Sequence, residues 1–187
     1  MKISDTSLTG AYILENQIFR DERGNFTCLY IEEDFIRKNL NTKWPQINCS
    51  ISFKKRTLRG LHFQYPPFSQ IKLIRVIQGS IFDVIVDLRV NSPSYKEHFT
   101  ITLQKPEEIL WVPPGLAHGF YNLAETSEFE YKVTDYYYPD DERTLIFSSN
   151  EIGIVWPFYD FWGYPEPVLS YKDKRGLSFK DCEKYEW

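Results

Sequence analysis

Histidine, the residue type that most often does acid–base chemistry, is scarce in this 187-residue chain, with three copies. His62 lies in the glycine-containing segment 58–64, and His118 lies in the proline- and glycine-rich segment 111–120. An imidazole titrates near neutral pH, so it can take up or release a proton in catalysis, or ligate a metal. His98 follows two charged residues and is interpreted as a structural or surface residue. His62 and His118 are therefore the candidates for chemistry.

The segment around His118 resembles the second signature of cupin barrels, here made of Pro113, Gly115, His118 and Asn122. A metal-binding cupin also needs a first signature with a second histidine and a glutamate. The chain has Gln64 and Lys72 in those two places. An ammonium group repels a divalent cation, and two imidazoles are too few for a three-ligand catalytic site. The resemblance therefore implies a cupin-like barrel without a metal, in which His62, His118 and Lys72 share the vacated space.

These three residues suit the abstraction of a proton next to a carbonyl group. A neutral imidazole can remove the proton, and a nearby ammonium can stabilise the enolate oxygen that develops. An epimerase also needs a proton donor on the opposite face of the substrate, for which a tyrosine hydroxyl is well suited. The candidates lie in one stretch of the chain: Tyr131, Tyr136, Tyr137 and Tyr138. Some of the four are expected to be half-buried aromatic residues of a strand.

The elements that would hold these residues are predicted to be short strands. Two apolar runs, 73–77 and 81–88, flank Gln78-Gly79-Ser80 and predict a β-hairpin. Further strands are predicted at 99–103, 109–112, 119–123 and 129–134. Short strands at regular spacing predict an all-β sandwich or barrel, and the cupin signature specifies a jelly-roll barrel, also called a double-stranded β-helix. A short helix is expected at 32–39, and the tail after Trp156 is expected to wrap the barrel.

Composition and charge exclude several classes of protein. A length of 187 residues indicates a single domain covering 1–187, and a net charge of -4 argues against a nucleic-acid binder. We expect no membrane association, because no apolar run approaches the ~20 residues that span a bilayer. The three cysteines form no CxxC pair and the amino terminus lacks a secretory pattern, which predicts a cytoplasmic protein with reduced thiols. No GxGxxG motif follows a strand, so we expect no redox cofactor.

From about Gly10 to Asp173 the chain resembles the dTDP-4-dehydrorhamnose 3,5-epimerase family. The resemblance is carried, in this order, by Phe19-Arg20-Asp21-Glu22-Arg23-Gly24, Leu58-Arg59-Gly60-Leu61-His62-Phe63-Gln64, Lys72-Leu73-Ile74-Arg75, Asp83-Val84-Ile85-Val86-Asp87-Leu88-Arg89, Ser92-Pro93-Ser94-Tyr95, Pro113-Pro114-Gly115-Leu116-Ala117-His118-Gly119-Phe120 and Gly153-Ile154-Val155-Trp156-Pro157. The resemblance implies an isomerase that works without metal or cofactor. Its substrate would be a nucleotide-diphospho-4-keto-6-deoxyhexose, and it would invert C3, C5 or both.

The resemblance also implies a role for individual residues. His62 resembles the general base, Asp173 its orienting carboxylate and Tyr131 the general acid on the other face. Lys72 resembles the stabiliser of the C4 enolate oxygen, and His118 would line the same pocket.

Substrate contacts and assembly follow from the same resemblance. The expected substrate contacts are Arg59 for the diphosphate, Gln46 and Asn48 near the nucleotide and sugar, and Tyr136 as an aromatic near the base. Members of the family are homodimers that exchange an amino-terminal strand, so Phe19 and Arg23 would complete the nucleotide site of the partner.

Two departures from the family pattern concern recognition of the nucleotide. Cys28 stands about where the family has a glutamate, and a thiol cannot replace a carboxylate acceptor. The segment 48–57 is one residue longer than usual and lacks the histidine after Asn48. Thymidine is the expected nucleotide, with cytidine and guanosine diphosphate sugars as alternatives.

The reaction also has alternatives. Epimerisation at C3 or C5 alone, a 3,4-ketoisomerase, and a non-catalytic protein that binds a sugar nucleotide remain open, and a metal-dependent dioxygenase is the least favoured. Tyr131 favours an epimerase, because inversion needs a donor opposite the base.

Overall fold

A computed structural model of the chain describes residues 1–158 and 166–182, which fold into strands with two short helices. The strands are β1 (Lys2–Asp5), β2 (Tyr12–Glu15), β3 (Ile18–Asp21), β4 (Gly24–Thr27), β5 (Gln46–Ser52), β6 (Leu58–Gln64), β7 (Lys72–Gln78), β8 (Ile81–Asp87), β9 (His98–Leu103), β10 (Glu108–Val112), β11 (Leu116–Asn122), β12 (Ser127–Val133) and β13 (Glu142–Thr144). Helix α1 spans Glu32–Arg37, and a single 3-10 turn spans Asp173–Arg175. The predicted strands at 99–103, 109–112, 119–123 and 129–134 are confirmed as β9 to β12, with ends that differ by up to three residues.

Two antiparallel sheets pack face to face. The six-stranded sheet has the order β1-β2-β10-β7-β12-β5, and the five-stranded sheet has the order β13-β6-β11-β8-β9. Their facing sides enclose an apolar core that includes Ile74 and Val76 from one sheet and Ile81 and Ile85 from the other. This is the jelly-roll architecture predicted from the sequence.

The predicted hairpin between the apolar runs 73–77 and 81–88 is wrong. Both runs are strands, but β7 lies in the six-stranded sheet and β8 in the five-stranded sheet, so they do not pair with each other. Gly79, with a φ of +86°, turns the chain from one sheet to the other. The apolar residues that a hairpin would place side by side instead face each other across the core, which buries them equally well.

The outer face of each sheet is covered by a different part of the chain. Phe35 of α1 packs on the outside of the six-stranded sheet. Helix α1 ends before the predicted residue 39, because Asn39 adopts a left-handed φ of +56° that cannot continue a helix. Trp156, Phe179 and Cys182 pack on the outside of the five-stranded sheet, as predicted for the tail after Trp156. Residues 159–165 and 183–187 of that tail lie outside the described residues.

Strands β3 and β4 form a separate two-stranded arm that joins neither large sheet. Phe19 and Phe26 contact each other on this arm and remain 53% and 67% exposed. The two rings form an exposed apolar patch on the arm. Within the described residues, no helix has the length and apolar character needed to cross a membrane.

Candidate active site

A cavity of about 400 Å³ opens between the two sheets. The five-stranded sheet contributes His62, Arg59 and His118, and the six-stranded sheet contributes Lys72 and Tyr131. The two walls of the cavity therefore carry different parts of the predicted chemistry.

A β-bulge at Gly60 turns Arg59 and His62 toward the same cavity. The two residues are three apart, so a regular strand would direct them to opposite faces. On the neighbouring strand, His118 pairs with His62 and Phe120 pairs with Arg59, so Gly119 of β11 lies opposite both Gly60 and Leu61 of β6. Gly60 has a φ of +122°, and a Cβ placed on it would lie 2.5 Å from the Cα of Gly119. Glycine at this position therefore allows the close approach of the strands that carry both histidines.

His62 and Asp173 form a short hydrogen-bonded pair. The Nε2 atom of His62 lies 2.6 Å from Oδ1 of Asp173, whose side chain is buried at the start of the 3-10 turn. Asp173 also accepts hydrogen bonds from the backbone N–H of Gly60, at 3.2 Å, and from the hydroxyl of Ser170, at 2.6 Å. An ionised carboxylate only accepts hydrogen bonds, so Nε2 must carry the proton. The lone pair of the imidazole then resides on Nδ1.

The protonation states of this pair suit a general base. Burial lowers the pKa of His62 below its ordinary value, and the hydrogen bond to Asp173 offsets this only in part. Burial opposes the charge on Asp173, but hydrogen bonds from His62, Ser170 and Gly60 outweigh it and lower the pKa of the carboxyl. At neutral pH the pair is therefore a neutral imidazole held by an ionised carboxylate.

Lys72 begins β7 and extends across to the opposite wall. Its Nζ donates to the backbone carbonyl of His62 at 3.3 Å. Burial lowers the pKa of Lys72 to about 8, while Glu142 and Asp83 act in the opposite direction. The ammonium is thus held beside the candidate base, where it is charged at neutral pH and readily discharged at moderately alkaline pH.

His118 forms a second pair of imidazole and carboxylate. Its Nε2 lies 2.9 Å from Oδ2 of Asp83, which is fully buried on β8. Because His118 and His62 are partners across β11 and β6, their imidazoles come from neighbouring positions of one wall. Asp83 is one of two acidic residues in the otherwise apolar strand β8, and this pairing explains its presence there.

Tyr131 lies on the wall opposite the two histidines. It is in β12, between Ile74 of β7 and Asn48 of β5. Burial raises the pKa of the Tyr131 phenol, and the negative charge of Glu142 raises it further. The hydroxyl is therefore protonated at neutral pH, as a general acid must be.

Three of the expected substrate contacts also line the cavity: Arg59, Gln46 and Asn48. Gln46 and Asn48 lie on the inward side of β5, where the amide of Gln46 donates to the side chain of Asn48 at 2.8 Å. Arg59 is exposed, and its guanidinium donates to the carbonyl of Ile51 at 3.3 Å. The interior of the cavity thus carries imidazole and lysine side chains, and its exposed side carries the guanidinium of Arg59.

Three other expected residues lie outside this cavity. Phe19 and Arg23 are on the β3–β4 arm, where Arg23 pairs with Asp21 at 2.7 Å. Tyr136 is 56% exposed and its neighbour Tyr137 lines the cavity instead. The amide of Gln46 fixes this choice, because its Oε1 accepts the backbone N–H of Tyr137 at 3.1 Å.

Sequence reasoning missed several polar residues of the cavity: Gln64, Gln70, Glu142 and Lys172. Gln64 and Gln70 hold the loop after β12 by donating to the carbonyl of Tyr136, each at 3.1 Å. Glu142 gave no signal, because it ends an acidic run that is typical of a solvated surface. Among residues 1–158 and 166–182, no cluster of three or more His, Cys, Asp or Glu side chains could hold a metal ion.

Comparison with known proteins gives the same interpretation of this geometry. The model of the family described as dTDP-4-dehydrorhamnose 3,5-epimerase matches residues 5–181. A protein of that name from Salmonella typhimurium is 40% identical over 175 residues, which cover 92% of each chain. The crystal structure of one from Elizabethkingia anophelis has a TM-score of 0.88 at 36% identity and covers 99% of both chains.

A third comparison includes a bound sugar nucleotide. The Legionella pneumophila dTDP-6-deoxy-D-glucose-3,5-epimerase, in complex with dTDP-4-keto-L-rhamnose, has a TM-score of 0.89 at 33% identity and covers 97% of this chain and 94% of its own. With a family match over residues 5–181 and solved structures that align over almost the whole chain, the chain belongs to the dTDP-4-dehydrorhamnose 3,5-epimerase family and is a nucleotide-sugar epimerase.

Proposed function

We propose that this epimerase inverts both C3 and C5 of dTDP-4-keto-6-deoxyglucose. The observation that supports the proposal best is the separation of His62 and Tyr131 on opposite walls of one cavity. Inversion at a carbon requires the proton to leave from one face and return to the other. A base and an acid that face each other across the substrate meet that requirement.

In the proposed mechanism, Nδ1 of His62 removes the proton from the carbon next to the C4 ketone. The electrons of the broken C–H bond form an enolate, and the ammonium of Lys72 stabilises the negative charge on the C4 oxygen. The hydroxyl of Tyr131 then delivers its proton to the opposite face of the same carbon. Each inversion leaves His62 protonated and Tyr131 ionised, and proton exchange with solvent restores both. Asp173 positions His62, and His118 contacts the sugar.

Binding of the sugar nucleotide is assigned to the remaining polar residues. The planar guanidinium of Arg59 at the exposed side of the cavity suits the diphosphate, and Gln46 and Asn48 suit the sugar and nucleotide. Thymidine is the nucleotide that the relatives' names carry. Cys28 is exposed and offers no carboxylate acceptor, so the contact to the base must differ from the family pattern.

We also propose that two copies of the chain assemble and exchange the β3–β4 arm. The arm has exposed aromatic residues, and Phe19 and Arg23 lie outside the cavity of their own chain. In the dimer they would complete the nucleotide site of the partner. A cytoplasmic location is supported by the exposed thiols of Cys28 and Cys49, which form no disulfide bond within the described residues, as expected in a reducing compartment.

The experiment that tests this function is proton NMR of dTDP-4-keto-6-deoxyglucose with the enzyme in D₂O. We expect deuterium at both C3 and C5. His62→Ala should abolish the exchange, whereas Tyr131→Phe should block inversion but leave some exchange. His98→Ala is the matched control, because His98 lies outside the cavity.

Each alternative gives a distinct result in the same experiment. Deuterium at one carbon would indicate an epimerase specific for C3 or C5, and a product with its ketone at C3 would indicate a ketoisomerase. If the dTDP sugar shows no exchange but a CDP or GDP sugar does, the nucleotide of the substrate is cytidine or guanosine rather than thymidine. Full exchange by His62→Ala would contradict the assignment of the base.

A further inference from the structure

Glu142 is an acidic side chain in a cavity that otherwise suits a negatively charged substrate. Strand β13 pairs with β6 so that Glu142 faces Gln64 and Thr144 faces His62. The Glu142 carboxylate is only 15% exposed, and it lines the cavity that His62, Lys72 and Tyr131 share. A carboxylate in this place repels both a diphosphate and a developing enolate.

The contacts of Glu142 keep it ionised. Its Oε2 accepts the hydroxyl of Tyr137 at 3.0 Å and the ammonium of Lys172 at 2.7 Å. Although burial opposes the charge, Lys172, His62 and Tyr137 together lower the pKa of the Glu142 carboxyl. The cavity therefore holds a fixed negative charge at neutral pH. Because this charge repels the substrate, we expect it to have another role in the reaction.

We propose that Glu142 is a positioning residue of the epimerase: its charge keeps His62 basic, Tyr131 protonated and Lys72 cationic over the same range of pH. The proposal rests on the roles assigned to these three residues in the proposed function. A negative charge favours the imidazolium and ammonium forms and disfavours the phenolate. All three effects have the sign that a base, an enolate stabiliser and an acid require.

The electrostatic influence of Glu142 reaches all three groups. It raises the pKa of His62, of Lys72 and of Tyr131. The other charged groups that act on them are Asp173 and Lys172 on His62, Asp83 and Lys172 on Lys72, and Arg59 on Tyr131. None of these others supports all three. Lys172 opposes Glu142 at both His62 and Lys72.

The test compares the pH dependence of kcat/KM for Glu142→Gln and the wild-type enzyme. Glutamine can still accept the hydrogen bonds of Tyr137 and Lys172, so the substitution removes the charge and keeps the contacts. We expect both limbs of the profile to move to lower pH, the alkaline limb further, because Glu142 acts more weakly on His62 than the other groups around it. On the alkaline limb we expect about a three- to tenfold loss of rate at fixed pH.

Two further variants make the sign of the effect diagnostic. Lys172→Met should move both limbs to higher pH, because it removes a positive charge from the same cavity. Glu128→Gln is the matched control, since Glu128 lies on β12 outside the cavity, and it should leave the profile unchanged. A lower plateau with unmoved limbs in Glu142→Gln would overturn the proposal, because a substrate contact or a structural role gives that result.

Titration of His62 by NMR in the enzyme without substrate provides a readout independent of turnover. The chain has three histidines, so comparison with His62→Gln assigns the signal. We expect the pKa of His62 to fall in Glu142→Gln, and an unchanged pKa would overturn the proposal. This measurement holds even if the dTDP sugar is not the substrate, so failure of the proposed function and failure of this inference are distinguishable.

Discussion

Loss of the charge on Lys72 should limit the activity of this epimerase at alkaline pH. The ammonium is buried beside the backbone carbonyl of His62, and burial lowers its pKa to about 8. At pH 9 only about one tenth of such a group is charged, compared with nearly all of a lysine with the ordinary pKa of about 10.4. If the charged form is the active one, kcat/KM should fall about tenfold between its plateau and pH 9.

The assay is the rate of deuterium uptake at C3 and C5 at low substrate concentration, measured from pH 5 to pH 10. The low-pH limb should lie below about 6.5, because burial lowers the pKa of His62 and the neutral imidazole is the base. Tyr131 should not contribute to the alkaline limb near 8, because its pKa is raised from the ordinary value of 10. The profile should therefore be bell-shaped, with a narrow plateau on either side of pH 7.

Two substitutions of Lys72 separate the limb from other causes. Lys72→Arg keeps the charge throughout this range, so its residual activity should have no limb near pH 8. Lys72→Met should lower the plateau by about 10²- to 10³-fold, the usual loss when one oxyanion donor is removed. Lys55→Met, at an exposed position, is the control. A limb that stays near pH 8 in Lys72→Arg would refute the reasoning, because another group would then be responsible.

Two further predictions concern the bulge and the arm. Gly60→Ala should destabilise the fold by at least about 2 kcal/mol in a denaturant titration, because the new Cβ would meet the backbone of Gly119 at a left-handed φ. Gly153→Ala, also at a left-handed φ but in open space, should lower the free energy of unfolding less. Equal losses in the two variants would contradict the steric explanation. Phe19→Ser combined with Phe26→Ser should convert the proposed dimer to a monomer in sedimentation. It should also raise KM more than it lowers kcat, because the arm is proposed to serve the partner's nucleotide site. An unchanged mass would show that the arm is not part of the interface.

The strands were predictable from the sequence because alternation of apolar residues is a local property. Which sheet a strand joins is not a local property of the sequence, and this is why the runs that form β7 and β8 predicted a hairpin. The crossing at Gly79 and a hairpin turn need the same residue types, and only packing decides between them.

The same distinction between local and non-local information applies to the candidate site. The motifs that contain His62 and Lys72 were visible as ordered pieces of the chain, and Tyr131 was a candidate whose role came from the family resemblance. The structure brings all three to one cavity. Glu142 was not visible, because only the pairing of β13 with β6 carries it from an acidic run to the base. Tyr137 was one of three adjacent tyrosines, and its position beside the cavity depends on hydrogen bonds between this loop and distant glutamines.

Repeated crossings between the sheets, of the kind found at Gly79, also place the proposed base and the proposed acid on opposite walls. Strands β6, β7 and β8 alternate between the two sheets, and so do β10, β11 and β12. His62 and His118 therefore lie on one wall of the cavity, and Lys72 and Tyr131 lie on the other. The strands that carry them alternate between the sheets although the connections between consecutive strands are short. An enolate is planar, so a proton returned from the wall that removed it regenerates the starting sugar. With a hairpin in place of the crossing, Lys72 would begin a strand of the sheet that holds His62, rather than extend to the carbonyl of His62 from the opposite wall.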